Sequence, residues 1–350
     1  MDSGNDFPLL DRALSASPDV LICPTCSTPS SARNLVVCID GTSNQFSNTN
    51  VVELYSRLVK DGTQATFYNS GIGTYAKPYG LTLRQWIANQ MDLAFAWRFD
   101  KILLSAYRWL SDNYQEGDRI FLFGFSRGAY QVRARSAMIN DVGLIHKGNE
   151  DQIALLFGPA RSQHEPPPVD MAARFKRTFS RKNVTIHFVG AWDTVSSVGI
   201  FRDKPLPGTM TGMGHVCHFR HALAIHERRV KFLPEFVGGS EGPPPNDANA
   251  FPLADYRPSH TAPRVKEVWF AGSHGNIFGP SLRWMSYEAR LAGLHLDDDV
   301  PSIWFEEQRP SESLTALWWL LEVFPIRRLD YEAQPRQRHR QLVEVATTLW

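Results

Sequence analysis

Residues 120–128 read Ile120-Phe121-Leu122-Phe123-Gly124-Phe125-Ser126-Arg127-Gly128, and a helix-compatible segment, Ala129 to Asn140, follows. The order is strand, tight turn, helix, with a serine at the turn. It matches the G-x-S-x-G nucleophile elbow, in which a sharp strand-to-helix turn presents the hydroxyl. The glycines have a physical role. The turn is so tight that larger side chains at its two ends would collide with the neighbouring strand and helix, while the serine is held in a strained backbone with its Oγ exposed.

Outward from this stretch, other strand-like runs appear. Leu35-Val36-Val37-Cys38-Ile39 is continuously apolar and suits a central strand buried on both faces. It ends in the turn-forming loop Asp40-Gly41-Thr42-Ser43-Asn44, and Asn50 is placed to cap a helix over Val51–Lys60. Thr66-Phe67-Tyr68 is a short second strand. Apolar residues at Ile102, Ala106, Trp109 and Leu110 recur at helical spacing. Val184 to Val189 and Val265 to Phe270 read as further strands, Val216 to Val230 as a helix with basic residues near its end, and about 281–293 and 312–323 as helices. Strands alternating with helices predict an α/β fold: an α/β-hydrolase-like, doubly wound, mostly parallel sheet with helices on both faces. The expected organisation is a flexible arm over 1–33 and a hydrolase domain over 34–326, with surface insertions near 147–182 and 238–263. A basic tail covers 327–350.

Composition narrows the functional classes. The chain has 350 residues, a formal net charge of +1 and 43% hydrophobic content, which gives no reason to expect nucleic acid as a partner. The acidic N-terminal stretch has no apolar core of a signal peptide, and no run of about 18 apolar residues occurs. A cytoplasmic protein is expected. Cys23 and Cys26 form a lone C-x-x-C without a second pair, so all four cysteines are read as free thiols.

In a doubly wound sheet, functional groups gather at the carboxyl ends of strands. Four such ends carry Asp40, Ser126, Asp193 and His274. A serine hydroxyl needs a base within hydrogen-bond reach and a third group to orient that base. Among the eleven histidines, His274 follows a strong strand and is flanked by Gly272, Ser273 and Gly275, which leave the imidazole room. His187 lies mid-strand. His215, His218 and His221 are spaced by three, but no acidic ligands join them, so no metal is expected. Asp193, just past a strand, is the candidate acid, with Asp141 and Asp203 behind it. The chain order Ser126, Asp193, His274 is that of α/β-hydrolases. The Arg127 backbone N–H and one from Gly41 or Thr42 are the candidate oxyanion donors. Asp40 either belongs to this substrate-facing loop or holds it by accepting backbone N–H bonds.

These motifs carry a resemblance. Asp40-Gly41-Thr42, Gly71-Ile72-Gly73-Thr74, Gly124 to Ala129, Trp192-Asp193-Thr194-Val195 and Trp269 to His274 occur in one order. Together, over roughly residues 33–295, they resemble the α/β-hydrolase domain of type VI secretion phospholipase effectors, a domain also common in fungi. The resemblance implies a Ser-Asp-His hydrolase at Ser126, Asp193 and His274, with phospholipids as the bacterial substrates. Two departures are visible. His226 stands where the family pattern H-A-L-A-L-D-E-R-R has its Asp, and Gly275-Asn276-Ile277-Phe278-Gly279 replaces S-D-V-G-G-G.

The resulting expectation is a serine hydrolase of carboxylic esters, possessing a catalytic triad and needing no cofactor or metal. Its substrate is a phospholipid or other lipid ester, which involves transient membrane contact. Leu317 to Leu321 offer an apolar lid or wall. The alternatives are an esterase for a specialised small metabolite and a non-catalytic hydrolase-fold binding protein.

Overall fold

The computed structural model describes residues 32–41, 49–70, 104–152, 169–195, 213–227, 234–237, 265–274 and 279–297. The described strands are β1 (Asn34–Ile39), β2 (Gln64–Asn69), β3 (Arg119–Phe125), β4 (Ile186–Trp192), β5 (Val216–Ala224) and β6 (Val265–Phe270). The described helices are α1 (Asn50–Arg57), α2 (Arg127–Val142), α3 (Val169–Phe179) and α4 (Pro280–Leu291), and residues 104–113 are also helical. The arm before residue 32, the helix expected near 312–323, the Leu317–Leu321 segment and the tail lie outside the described residues.

The six strands form one sheet in the order β2-β1-β3-β4-β5-β6, and every pairing is parallel. The chain runs outward from β1 to β2, then returns to place β3 on the other side of β1. That reversal is a topological switch point of the kind beside which functional groups gather in such sheets. It lies between β1 and β3, and β3 ends at Phe125.

Two apolar layers hold the sheet. Leu35, Val37, Ile39, Ile120, Leu122 and Val189 face one side with α2, α3 and the 104–113 helix. Val36, Cys38, Phe121, Phe123, Phe188 and Trp192 face the other with α1 and α4. The two sets alternate along each strand because successive side chains of a strand point to opposite faces. Burial of each Phe or Leu contributes roughly 1.5–3 kcal/mol, and the central strands bury both faces, hence their unbroken apolar runs. Phe175 of α3 is buried in the first layer, so the stretch 147–182 contains a packed helix as well as surface.

Three expectations are corrected. The segment from Val216 is a strand and not a helix: every residue of β5 is buried, and it is paired on both edges, to β4 and β6. Its buried Arg220 and His221 gave it the look of an amphipathic segment. The cap of α1 is Thr49, whose Oγ1 accepts from the Val52 N–H at 3.1 Å, and Asn50 is the first helical residue. Cys38 is free and buried, but Cys217 is disulfide-bonded, with its partner outside the described residues. Disulfide pairing depends on proximity in space, which cysteine spacing alone does not reveal. No helix among the described residues is long and apolar enough to cross a membrane.

Candidate active site

Ser126 sits between β3 and α2 with φ 57° and ψ −123°. This is a conformation that L-residues rarely adopt and that the surroundings must enforce. Both flanking glycines are required by contact. A Cβ on Gly124 would lie 2.5 Å from the Gly128 carbonyl oxygen, and a Cβ on Gly128 would lie 2.3 Å from the Ile39 oxygen and 2.5 Å from that of Asp40. The elbow is therefore pressed against the end of β1. Its backbone is tied to the next strand as well. The Ser126 N–H donates to the Trp192 oxygen at 2.9 Å, and the Ser126 oxygen accepts from Val195 N–H at 3.3 Å.

The structure brings Ser126, Asp193 and His274 together from three separate strand ends. Ser126 Oγ lies 2.8 Å from His274 Nε2, and His274 Nδ1 is hydrogen-bonded to Asp193 Oδ2. An ionised carboxylate only accepts. The proton of the neutral imidazole is then on Nδ1, which leaves Nε2 as the acceptor for the serine hydroxyl. All three residues are buried, so the interactions among them are little screened. The second oxygen of Asp193, Oδ1, accepts the Ala224 N–H at 3.1 Å, and Asp193 itself has φ 43°. The imidazole packs on the Phe125 ring, with centroids 4.9 Å apart and planes 30° apart.

The loop after β1 is held by its own acid. Asp40 Oδ1 accepts the Gly41 N–H at 2.7 Å, while Oδ2 accepts from Thr49 Oγ1 at 2.7 Å and from the Tyr68 hydroxyl at 3.2 Å. Of the two roles open to Asp40, these bonds favour holding the loop. They also engage the Gly41 N–H with a carboxylate. Burial, and then the Asp40 charge, push the Tyr68 phenol above its ordinary value, so it stays a donor. Thr42 lies outside the described residues. Burial pulls the Arg127 guanidinium down to about 10, so a cation remains beside the elbow at neutral pH.

The turn carrying His274 is held by His226 and Glu227, which follow β5. Glu227 Oε2 accepts the His274 backbone N–H at 3.1 Å. His226 and Gly272 exchange two bonds: the His226 N–H donates to the Gly272 oxygen and the Gly272 N–H donates to His226 Nδ1, each at 3.0 Å. His226 thus supplies an acceptor with its ring nitrogen. In the sequence His226 is visible as a departure from the family pattern, whereas its pairing with Gly272 and the Glu227 bond to His274 depend on β6 lying beside β5.

His215, His218 and His221 do not converge on one point. A spacing of three along a strand puts neighbours on opposite faces. His215 Nε2 lies 3.0 Å from Ser136 Oγ, the His218 ring packs edge-on to His187 at 5.3 Å, and His221 faces Glu267. Among the described residues no cluster of three or more His, Cys, Asp or Glu is arranged to hold a metal ion. His187 is buried, and its Nε2–H donates to the Ala292 oxygen at 2.8 Å. Asp141 lies on α2 at the opposite end from the elbow, and Asp203 lies outside the described residues.

Comparison with known proteins gives the following. Residues 33–304 match the family described as the catalytic domain of Tle1-like phospholipase effectors of type VI secretion systems. The uncharacterized protein YEL023C of Saccharomyces cerevisiae is 36% identical over 224 residues, which cover 59% of this chain and 33% of the yeast protein. The match thus spans about a third of that relative's length. Among solved structures, an uncharacterized protein from Pseudomonas aeruginosa is 16% identical with a TM-score of 0.39, covering 76% of this chain and 46% of the other. The Tle1 effector bound to the VgrG spike is also 16% identical, with a TM-score of 0.35, covering 71% and 51%.

Proposed function

We propose a reaction for this chain on two grounds: it belongs to the family of Tle1-like phospholipase effector catalytic domains, and it has a hydroxyl, an imidazole and a carboxylate in line. The family supports hydrolysis of lipid esters. The finer proposal is a serine hydrolase that cleaves acyl esters of lipids through an acyl-enzyme. The observation that carries it is the 2.8 Å approach of Ser126 Oγ to His274 Nε2 at a backbone held in a strained turn.

In this mechanism the Oγ–H proton passes to His274 Nε2 as Oγ bonds to the ester carbonyl carbon. The carbonyl electron pair moves onto oxygen, which the Arg127 N–H at the start of α2 stabilises. Asp193 accepts the Nδ1–H and stabilises the imidazolium. Collapse of the tetrahedral species breaks the bond to the leaving oxygen, which takes the proton from Nε2. Water then repeats the sequence on the acyl-enzyme, releases the fatty acid and restores Ser126.

The test is hydrolysis of an activated ester and of phospholipid vesicles by the wild type, Ser126→Ala and Asp193→Asn. Ser126→Ala is expected to abolish turnover and fluorophosphonate labelling while the fold is kept. Asp193→Asn is expected to lower kcat by about 10⁴, as loss of the orienting acid does in serine hydrolases. Wild-type turnover by Ser126→Ala would overturn the proposal. Turnover of short activated esters but not of vesicles would move the substrate to a small metabolite.

A further inference from the structure

A second chain of acid, imidazole and hydroxyl lies beside the first and does not contain Ser126. His221, on β5, is fully buried. Its Nδ1 lies 2.8 Å from Glu267 Oε1 on β6, and its Nε2 lies 3.1 Å from the Thr194 backbone nitrogen and 3.0 Å from Thr194 Oγ1. Thr194 directly follows Asp193. We propose that His221, with its tautomer set by Glu267, is a positioning residue that fixes the Asp193 turn and thereby the acid of the triad. The inference rests on the proposed role of Asp193.

The argument runs through proton placement. A backbone N–H only donates, so the Thr194 N–H requires a lone pair on His221 Nε2. In a neutral imidazole the proton is then on Nδ1. Glu267 Oε1 accepts there, and the same oxygen accepts the Val237 N–H at 3.2 Å. Without Glu267 the imidazole is free to adopt the other tautomer, and Nε2–H would face the Thr194 N–H, donor against donor. In a fully buried place that mismatch is costly.

The turn needs such support. Asp193 has positive φ, which a non-glycine residue keeps only when its surroundings over-determine it. β5 supplies these constraints. The Asp193 N–H donates to the Ala222 oxygen at 2.8 Å, the Ala224 N–H holds Asp193 Oδ1 at 3.1 Å, and His221 holds Thr194. The first two bonds come from the backbone of β5 and are available to any sequence. The third comes from a side chain and is specific to His221. Thr194 is held on its far side as well, because its oxygen accepts the Glu235 N–H at 2.8 Å.

The test compares His221→Ala, His221→Gln, Glu267→Leu and Glu267→Gln, with kcat and KM measured on p-nitrophenyl butyrate and the rate of fluorophosphonate labelling at Ser126. A misplacement of about 1 Å costs about 100-fold in rate, so His221→Ala is expected to lower kcat by about that factor with KM within about twofold. His221→Gln keeps an acceptor near Nε2 and should recover most of the loss. Glu267→Gln still accepts from Nδ1–H and should resemble the wild type, whereas Glu267→Leu should resemble His221→Ala. Far-downfield proton NMR gives a readout that needs no turnover. The resonance of the His274 Nδ1–H, assigned by its absence in Asp193→Asn, should broaden or vanish in His221→Ala and persist in His221→Gln. Wild-type kcat and an intact resonance in a folded His221→Ala would overturn the proposal, as would equal losses in Ala and Gln variants that both retain the wild-type Tm. Activity surviving Ser126→Ala would instead overturn the hydrolase reading itself.

Discussion

Gly128→Ala tests whether the elbow is placed by its contact with β1. The added Cβ would sit 2.3 Å from the Ile39 oxygen and 2.5 Å from the Asp40 oxygen, against 3.4 Å for ordinary contact. Relief requires a shift of about 1 Å, and both partners are backbone, so no rotamer change supplies it. β1 is held on both edges by β2 and β3, and Asp40 is fixed by three donors. The first turn of α2 must therefore move. Overpacking of this kind costs about 1–3 kcal/mol, and two rigid partners put the expectation at the upper end. At about 2–4 °C per kcal/mol for a domain of this size, Tm should fall by roughly 6–12 °C. The same turn carries Ser126 and the Arg127 N–H, so turnover should fall about 100-fold. Thermal melting by circular dichroism and kcat on an activated ester measure the two effects. Gly62→Ala is the control: its Cβ meets nothing within 4 Å, and its effect should be neutral or a gain of about 0.4–1 kcal/mol. A Gly128→Ala protein with wild-type Tm and turnover would refute the reasoning.

Ser126→Gly should melt above Ser126→Ala, by about 1 kcal/mol. Both lose the hydroxyl, but glycine removes a backbone strain of about 1–3 kcal/mol at a cost of about 0.5–1 in chain entropy, and an alanine variant at least as stable would show that the turn is unstrained. Burial pushes His187 down to about 4 from an ordinary 6.5. The unfolded chain then binds the extra proton as pH falls from 6.5 towards 4, so stability is full above that window and is lost within it, by roughly 3 kcal/mol at most. Urea midpoints at about pH 7 and about pH 4.5 should differ more in the wild type than in His187→Gln, and an equal or smaller difference in the wild type would refute this account. Glu288 joins fully buried Arg220 and half-buried Lys266. Glu288→Leu leaves the buried guanidinium without its carboxylate and should cost about 3–5 kcal/mol, with much of that recovered in the double variant Glu288→Leu/Arg220→Met; chemical denaturation of the single and double variants measures it.

Much of the fold was legible because β1 and β3 are buried on both faces and spell this out as continuous apolar runs. The elbow was legible because its glycines answer to local geometry. β5 was not, for a physical reason: Val216-Cys217-His218-Phe219-Arg220-His221 mixes apolar and basic residues in a strand that is buried throughout. Arg220 is tolerated inside because Glu288, 68 residues away, pairs with it, and His221 because Glu267 and Thr194 do. Such compensation by distant residues leaves no periodic trace. Asp40 is the intermediate case. Its position at a strand end was readable, but its role depended on Thr49 and Tyr68 arriving from two other elements.

The candidate site is held by two kinds of force that should fail differently. Ser126 is located by exclusion: Gly124 and Gly128 allow a close approach that any side chain would prevent. Exclusion is a packing term, so a substitution there should cost stability and rate together. Asp193 and His274 are located mainly by directed bonds from β5 and the residues after it: Ala222, Ala224, His221, His226 and Glu227. Each such bond is worth only about 0.5–1.5 kcal/mol of net stability, but the geometry it sets enters the rate steeply. Conservative substitutions on β5 should therefore lower turnover well before they lower Tm. This asymmetry follows from placing Ser126 by contact and Asp193 and His274 by hydrogen bonds.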